Sequence, residues 1–369
     1  MNNKIFQTFF DCGSSKIRAG IFNIDNKDEA FYDESEFFID SSHLESKIEK
    51  IITSFEKNTN EYINNINLML DSPKMLSIGI SISKKFYGSK LKKTNIQFLV
   101  QEAKQQILKY YPNYNIIHII INNYIIDGVD HSYLPGEIRC DFISLDIFFL
   151  CLPNDLVLYY KNIYSKFNIS INQIICSSYA KSILYKNNLN LNEYVSFIDI
   201  GFNRTSIISY LNDKILYLDI LPVGGNHVTK DISKIFRIDL EKSEQVKRNF
   251  DKNQKLSDDV NISIENLKQI IIARIDEIME LCTKSIESNS HLSDKFKIVL
   301  MGDGAKMLKN QIKDKHFLSN DIEFLEETLG DVCQSGFNFL RKPIKQEVVV
   351  VPKKQIKQGF FEKFFHFFR

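Results

Sequence analysis

The segment FDCGSSKIRAGIF, Phe10 to Phe22, contains the end of one strand, a tight turn and the start of another strand. Strands are predicted over Ile5–Phe10 and Lys16–Ile24, because both runs are rich in β-branched and aromatic residues and small residues separate them. The segment FIDIGFNRTSIISYL, Phe197 to Leu211, repeats this order of strand, aspartate, glycine-containing turn and strand. The two segments share this order of predicted elements rather than identical residues, which indicates an internal duplication.

Each predicted turn follows a strand that ends in an aspartate, Asp11 in the first copy and Asp199 in the second. Turns of small residues expose several backbone N–H groups that can bind phosphate oxygens, and an adjacent aspartate can hold a hydrated Mg²⁺. We therefore predict that both aspartates bind Mg²⁺ through water. The turn residues predicted to bind phosphate are Gly13, Ser14, Ser15, Lys16, Gly201, Asn203, Arg204 and Thr205. Either copy alone is more simply an ordinary hairpin, so this prediction depends on the pair.

A third segment, IVLMGDGAKM from Ile298 to Met307, is a strand that leads into a glycine turn. Glycines there can let a flat ligand such as an adenine ring lie close to the backbone. The residues predicted to contact the ring are Gly302, Gly304 and Ala305.

A fourth segment, the predicted helix Lys242–Asn249, carries Glu244, Lys247 and Arg248. Their i, i+3, i+4 spacing places all three on one face, where they can contact ribose and the edges of the ring. A charged helix face is more often solvated surface, so this segment has meaning only beside the other three.

Taken in order, the four segments resemble the nucleotide site of the actin, sugar-kinase and heat-shock-chaperone superfamily. Within that superfamily the resemblance is to the FtsA family of bacterial cell-division proteins. LPVGGNHVTKDISKIF and KSEQVKRNF, between Leu221 and Phe250, are similar to the FtsA stretch after the second phosphate motif. His118–His131, which leads to a predicted strand at Asp141–Leu152, resembles part of the inserted subdomain of that family. The resemblance implies an α/β actin-like ATPase fold, with two duplicated domains around an ATP cleft, an FtsA-type inserted subdomain and a C-terminal amphipathic helix.

The resemblance also implies domain boundaries. They are residues 1–82 and 166–193 for the first actin-like domain, 83–165 for the inserted subdomain, 194–225 and 297–340 for the second actin-like domain, 226–296 for a lobe beside the adenosine pocket, 341–357 for a linker and 358–369 for a membrane-binding helix.

Two departures from the family pattern predict weak or absent ATP hydrolysis. The second phosphate motif of the family is typically Gly-Gly-Gly-Thr, whereas Gly201 is followed here by Phe202, Asn203 and Arg204. Cys176 stands where related ATPases have a carboxylate that orients the attacking water, and a neutral thiol is a poor general base.

The C-terminal segment GFFEKFFHFFR, Gly359 to Arg369, is strongly amphipathic as a helix. At about 100° per residue, its six phenylalanines fall within an arc of roughly 160°. These are Phe360, Phe361, Phe364, Phe365, Phe367 and Phe368, with Lys363 and Arg369 on the opposite arc. Because a basic, proline-containing linker separates it from the body, we predict an interfacial membrane anchor rather than a docked core helix.

Composition narrows the class of protein. The 369 residues include 47 basic and 46 acidic side chains, a balance that argues against a nucleic-acid partner. Six widely spaced cysteines without a C-x-x-C pair favour reduced thiols over disulfides or zinc. The N-terminus lacks the apolar core of a signal peptide, and no apolar run approaches the roughly 20 residues of a membrane span.

By its resemblance, the chain is expected to bind ATP and Mg²⁺, to polymerise, and to tether FtsZ to the inner face of the cytoplasmic membrane at the division septum, as a peripheral protein. The implied partners are the C-terminal tail of FtsZ, further copies of the chain, other divisome proteins and anionic lipids. Two alternatives stay open: a sugar or metabolite kinase, and a PilM-like pilus-assembly homologue.

Overall fold

The computed structural model describes residues 5–26, 29–37, 43–136, 138–191, 194–251, 262–289, 296–309 and 321–341. The strands are β1 (Phe6–Cys12), β2 (Lys16–Asn23), β3 (Ala30–Glu36), β4 (Asn65–Leu70), β5 (Leu76–Lys90), β6 (Tyr114–Ile126), β7 (Val129–His131), β8 (Arg139–Pro153), β9 (Ser170–Cys176), β10 (Val195–Ile200), β11 (Thr205–Leu211), β12 (Lys214–Leu221), β13 (Lys297–Met301) and β14 (Asp321–Phe324). The helices are α1 (Leu44–Thr59), α2 (Lys93–Tyr110), α3 (Asn154–Ser165), α4 (Ser177–Asn188), α5 (Gly225–Phe236), α6 (Leu240–Asp251), α7 (Ile264–Asn289), α8 (Lys306–Lys309) and α9 (Leu329–Arg341).

Two five-stranded sheets repeat one plan. The first has the order β3-β2-β1-β4-β9 and the second the order β12-β11-β10-β13-β14. In each, the first three strands of the sequence pair antiparallel, and the two later strands add in parallel on the other side. The carboxyl ends of β1 and β10, where Asp11 and Asp199 lie, therefore occupy equivalent positions in the two sheets. The duplication predicted from the two turns is confirmed at the level of the sheets.

A third sheet, of order β5-β8-β6-β7, is antiparallel throughout. It packs against α2 and contacts β12, where Ser77 Oγ donates to the Leu218 carbonyl and Asn122 Nδ2 donates to the Ile215 carbonyl. The sheet covers 76–153, within and just before the predicted inserted subdomain. The next helix, α3, buries Val157 and Tyr164 in the core of the first sheet. The family-type domain boundaries themselves stay a prediction.

The apolar patterns explain the main helices. In α1 the residues Leu44, Ile48, Ile51, Ile52 and Phe55 are all buried, as their helical spacing predicts. The same spacing predicts a helix over Leu44–Ile63, but α1 ends at Thr59, because Asn60 adopts a left-handed conformation. A continuous apolar cluster runs from the first sheet through α4 and α9 to one face of the second sheet, so these two helices lie between the duplicated halves.

Several strand predictions are confirmed, including those at the two hairpins and at Phe296–Met301. The run of apolar residues predicts a strand over Met75–Ile82. The observed strand β5 begins at Leu76 and continues to Lys90 opposite β8. Within the described part of the chain, none of the helices is long and apolar enough to cross a membrane.

Candidate functional site

A cleft of about 480 Å³ lies between the duplicated halves, at the carboxyl ends of β1 and β10. It brings together residues that the sequence places far apart. The predicted residues that line it are Asp11, Gly13, Ser14, Ser15, Lys16, Asp199, Gly201, Asn203, Arg204, Glu244, Lys247, Arg248, Gly302 and Gly304. Two other predicted residues do not line it: Ala305 is buried, and Thr205 is buried with its hydroxyl donating to the Val223 carbonyl.

The two hairpin turns have the same backbone geometry. The Gly13 N–H donates to the Lys16 carbonyl at 3.0 Å, and the Gly201 N–H donates to the Arg204 carbonyl at 2.8 Å. In the paired strands, Asp11 lies opposite Arg18, just as Asp199 lies opposite Ser206. The turns therefore correspond residue for residue, and Arg204 occupies the position that Lys16 has in the first turn.

The first hairpin is joined to the opposite half by ion pairs. Asp11 accepts a 2.7 Å hydrogen bond from Ser177 Oγ and lies 3.5 Å from Arg18 Nη1. Arg18 also pairs with Asp303, in the turn after β13, and Lys16 Nζ lies 2.9 Å from the same carboxylate. Burial alone would raise the pKa of Asp303, but Arg18 and Lys16 hold this pKa well below its usual range. Asp303 therefore stays ionised between the two halves.

The second hairpin is filled by the Arg204 guanidinium, whose side chain is 15% exposed. It pairs with Asp71, at the end of β4 in the first half, and its Nη1 lies 3.6 Å from Asp199 Oδ2. Nη1 also donates to Ser206 Oγ at 2.6 Å. Burial would lower the pKa of Arg204, but the two carboxylates raise it, so the guanidinium stays charged.

A buried lysine on α4 links the second hairpin to the segment before α9. Lys181 Nζ lies 2.9 Å from Asp199 Oδ2 and 3.1 Å from Glu327 Oε1, and the lysine is 3% exposed. Burial would lower the pKa of Lys181, but Asp199 and Glu327 raise it. For Asp199, burial would raise the pKa, but Lys181 and Arg204 lower it. Both groups of the pair are therefore charged.

The helix α6 presents its predicted charged face to the cleft. Lys247 Nζ bonds to Glu244 Oε2, to Thr229 Oγ1 at 2.8 Å and to the Gly225 carbonyl at 3.0 Å. Arg248 bonds to Glu244 Oε1 and, across the cleft, to Glu36 Oε2, both at 2.9 Å. This face is thus not simply solvated surface, because it is built into the wall of the cleft.

The turn after β13 approaches β10 too closely for side chains. Gly302 has a φ of +89°, and a Cβ there would clash with Asp199 Oδ1 and with the Ile200 carbonyl. A Cβ at Gly304 would clash with the Ile200 side chain. The glycines that the sequence assigned to an adenine ring therefore have a second reason to be glycines, which is packing against β10.

The thiol of Cys176 does not line the cleft, which corrects the role expected from its sequence position. The residue is fully buried, and its Sγ donates to Asp71 Oδ1 at 3.1 Å. Its N–H donates to His118 Nε2 at 2.8 Å. Burial raises the pKa of this thiol well above its usual value, and Asp71 raises it further. The group that does reach the cleft beside it is Asp71 itself.

Sequence reasoning missed the residues that join the halves: Arg18, Asp71, Lys181, Asp303 and Glu327. One signal was available, because Asp71 follows a short apolar strand and precedes Ser72 and Pro73. That is the same strand-then-aspartate order as at Asp11, and β4 lies beside β1 in parallel. The others depend on tertiary contacts that have no local pattern.

The comparisons with known proteins agree with this geometry. A family model described as "Cell division protein FtsA" matches residues 196–319. FtsA of Buchnera aphidicola subsp. Acyrthosiphon pisum (strain APS) is 24% identical over 358 residues, covering 83% of this chain and 82% of that protein. The chain is therefore similar to FtsA proteins over most of its length. Seven further FtsA proteins are 20% to 27% identical, and the matched part covers 34% to 54% of each.

One solved structure supports the fold of this FtsA-like chain. A PilM–PilN type IV pilus biogenesis complex matches with a TM-score of 0.64 at 12% identity, covering 88% of this chain and 89% of that one. MreB5 of Spiroplasma citri bound to ADP matches with a TM-score of 0.46 at 13% identity, covering 92% and 97%. The first likeness shows an actin-like ATPase fold, and the second is too distant for its nucleotide to be carried over.

The predicted Mg²⁺ does not fit the contacts of this cleft. Asp11 and Asp199 lie in the same cleft, but each is already in contact with a cation of the protein. Across the described residues, no three His, Cys, Asp or Glu side chains are grouped as metal ligands. The metal role of the two aspartates stays a prediction that these contacts disfavour. The predicted linker after Arg341 and the phenylalanine-rich tail, where FtsA-type membrane binding is expected, lie outside the described residues.

Proposed function

We propose that this FtsA-like cell-division protein binds an adenine nucleotide in the cleft. The observation that carries the proposal is the pairing of two equivalent hairpin turns at one cleft, with cations at both. Lys16 and Arg18 lie at the first turn and Arg204 at the second, where they can neutralise phosphates. Lys247 and Arg248 of α6 line the wall beside the glycine turn, which is where the adenosine is proposed to bind.

Charge reversal tests nucleotide binding. In Lys16→Glu the substitution places a negative charge at the first turn, so we expect the affinity for ATP to fall at least about tenfold. The matched control is Lys284→Glu, which changes an exposed pair on α7 and should leave the affinity unchanged. Isothermal titration calorimetry measures both. Failure of the unaltered protein to bind ATP would overturn the proposal.

ATP hydrolysis is proposed to be slow. A new candidate for a water-orienting carboxylate among the described cleft residues is Asp71, but its oxygens already accept from Arg204, from the Ser178 N–H at 3.0 Å and from Cys176 Sγ. Loss of a working general base typically lowers the rate by roughly 10²- to 10⁴-fold. A turnover of several per second in a phosphate-release assay would contradict this expectation.

We further propose that the protein polymerises and tethers FtsZ filaments to the inner face of the cytoplasmic membrane at the septum. Similarity to FtsA proteins supports the tether, and so does the arc of six phenylalanines in the predicted tail. A half-inserted phenylalanine contributes about 1 kcal/mol. The cost of ordering the helix is subtracted from the sum over the six, so a single tail binds reversibly. A polymer carries many tails and binds by avidity.

Membrane binding is tested by changing both Phe364 and Phe368, near the centre of the apolar arc, to glutamate. The double variant should no longer sediment with anionic liposomes, while its circular dichroism spectrum stays unchanged. Glu362→Lys, on the polar arc, should bind as well as the unaltered protein or better. If the double variant still sediments, the tail is a docked core helix, and the tether proposal loses its main support.

The two alternatives are less well supported. A sugar or metabolite kinase needs a carboxylate base, but each carboxylate that lines the described cleft is in an ion pair. A PilM-like role has the same fold in its favour. Deleting 359–369 separates that role from the tether, because only the tether requires the tail to hold the protein at the membrane.

A further inference from the structure

The aspartates predicted to hold a divalent cation are both already in contact with a cation of the protein. Asp199 is 2% exposed, and its Oδ2 lies 2.9 Å from Lys181 Nζ and 3.6 Å from Arg204 Nη1. Asp11 is 7% exposed and lies beside Arg18, at 3.5 Å. A carboxylate attracts Mg²⁺ through its net negative charge, and at both aspartates a cation of the protein already offsets part of that charge.

Arg204 holds the position between the two halves where a bridging ion would act. Its guanidinium pairs with Asp71 of the first half and lies near Asp199 of the second. Ser206 fixes one of its nitrogens, and the side chain is mostly buried. A divalent ion placed against Asp199 would be repelled by this fixed charge and by Lys181.

The geometry of Arg204 is also suited to phosphate. A guanidinium carries five N–H donors in a plane and binds phosphate oxygens in pairs. Arg204 lines the cleft together with Lys16 and Arg18, so three cations face the space between the turns. In the first turn the corresponding cation, Lys16, is a compact point charge without this planar geometry.

We propose that Arg204 replaces the divalent cation, so that the polyphosphate of the nucleotide binds without metal, between Arg204 at the second turn and Lys16 and Arg18 at the first. This inference rests on the proposed nucleotide binding and adds that the binding does not require Mg²⁺.

The first experiment compares the affinity for ATP in excess EDTA and in saturating MgCl₂, by calorimetry on the full chain. We expect dissociation constants within about threefold of each other. A loss of more than about tenfold in EDTA would overturn the inference while leaving the proposed function intact. Absence of ATP binding under both conditions would overturn the proposed function, and the inference with it.

The second experiment changes the residue itself. Arg204→Gln should lose at least about tenfold of its ATP affinity in EDTA and regain part of that loss in MgCl₂. Arg204→Lys keeps the charge and should lose less, which separates loss of the cation from a folding defect. Arg274→Gln is the matched control, since that arginine of α7 lies outside the cleft and pairs with Asp231 of α5 and Glu277 of α7. If Arg204→Gln folds and binds ATP in EDTA as the control does, Arg204 does not replace the metal.

Discussion

The first hairpin turn leaves Gly13 and Ser14 exposed, whereas the second turn, from Gly201 to Arg204, is half-buried. Both turns close with the same hydrogen bond and follow the same strand order. The second is also held from outside, since the N–H groups of Gly225 and Asn226 at the start of α5 donate to the carbonyls of Gly201 and Phe202 at 3.0 and 2.7 Å. The two turns thus share a backbone conformation. The first turn exposes its small residues, whereas the second is occupied by the Arg204 side chain.

This difference separates two tasks that the duplicated turns share in the family pattern. An exposed turn of small residues offers its backbone amides to a ligand. A turn filled by an arginine offers a fixed charge, and it depends on partners in the other half to hold that charge. We therefore expect the second turn to be the more sensitive to loss of a single partner.

The largest effect is expected at Lys181, the buried lysine of α4. Lys181→Met leaves Asp199 and Glu327 buried without their shared cation, so we expect the free energy of unfolding to fall by about 3–5 kcal/mol. Urea unfolding followed by circular dichroism measures this loss. A loss below about 1 kcal/mol would contradict the view that buried ion pairs hold the second turn.

The control for that variant lies on the same helix. Lys186 pairs at 2.8 Å with Asp213, whose side chain is 82% exposed and remains hydrated when the lysine is removed. Lys186→Met should therefore lower the free energy of unfolding by no more than about 1 kcal/mol from the ion pair. Similar losses in the two variants would show that the methionine itself, and not the buried carboxylates, causes the effect.

A smaller effect is expected when the corresponding cations of the two turns are removed. Arg204→Ala should lower the free energy of unfolding by about 1–3 kcal/mol, because the buried Asp71 loses its cation. Lys16→Ala should cost less than about 1 kcal/mol, since Asp303 keeps Arg18 and Lys306 as partners. Thermal or urea unfolding compares them directly, and equal losses would contradict the asymmetry between the turns.

The smallest effect concerns pH. At the start of α5 the Gly224 N–H donates to His227 Nδ1 at 3.2 Å. Burial lowers the pKa of His227, and Lys230 and Arg274 lower it further. The unfolded chain therefore binds this proton at a higher pH than the folded chain does, so stability falls as the pH drops from the ordinary histidine pKa toward the lowered one. Unfolding midpoints measured between neutral and mildly acidic pH should show a shallower fall for His227→Gln than for the unaltered protein. An identical fall would exclude His227 as its source.

Much of the fold could be predicted, because its main signal is local. Each hairpin combines a strand, an aspartate and a turn within about a dozen residues. The strands β4 and β9 were missed, because each is short. The end of β9 also has no turn residue to mark it, since β9 ends at Cys176 and α4 begins with the next residue. The family resemblance places Cys176 where related ATPases have a water-orienting carboxylate, whereas its side chain is fully buried.

The candidate site divides in the same way. The turn residues and the charged face of α6 were predicted from their spacing together with the family resemblance, and the structure brings all of them except Thr205 to one cleft. The contacts between the halves were not predicted, because the partners are far apart in sequence, as Arg18 and Asp303 are. An ion pair between residues of different domains produces no periodic pattern in the sequence, so the pairing of Asp199 with Lys181 could be found only in the structure.

The ion pairs across the cleft also bear on how the two halves are held together when no phosphate is bound. Ion pairs between described residues join the halves at the cleft, among them Lys16–Asp303, Arg18–Asp303, Arg248–Glu36, Lys181–Asp199 and Arg204–Asp71. A phosphate that enters must take cations from carboxylates, so its binding is an exchange of partners. Its departure restores the internal pairs and leaves no cluster of like charges to force the halves apart. Added salt screens the pairs on both sides of this exchange, so the affinity should vary little with ionic strength. We therefore expect the cleft to stay closed after its ligand leaves.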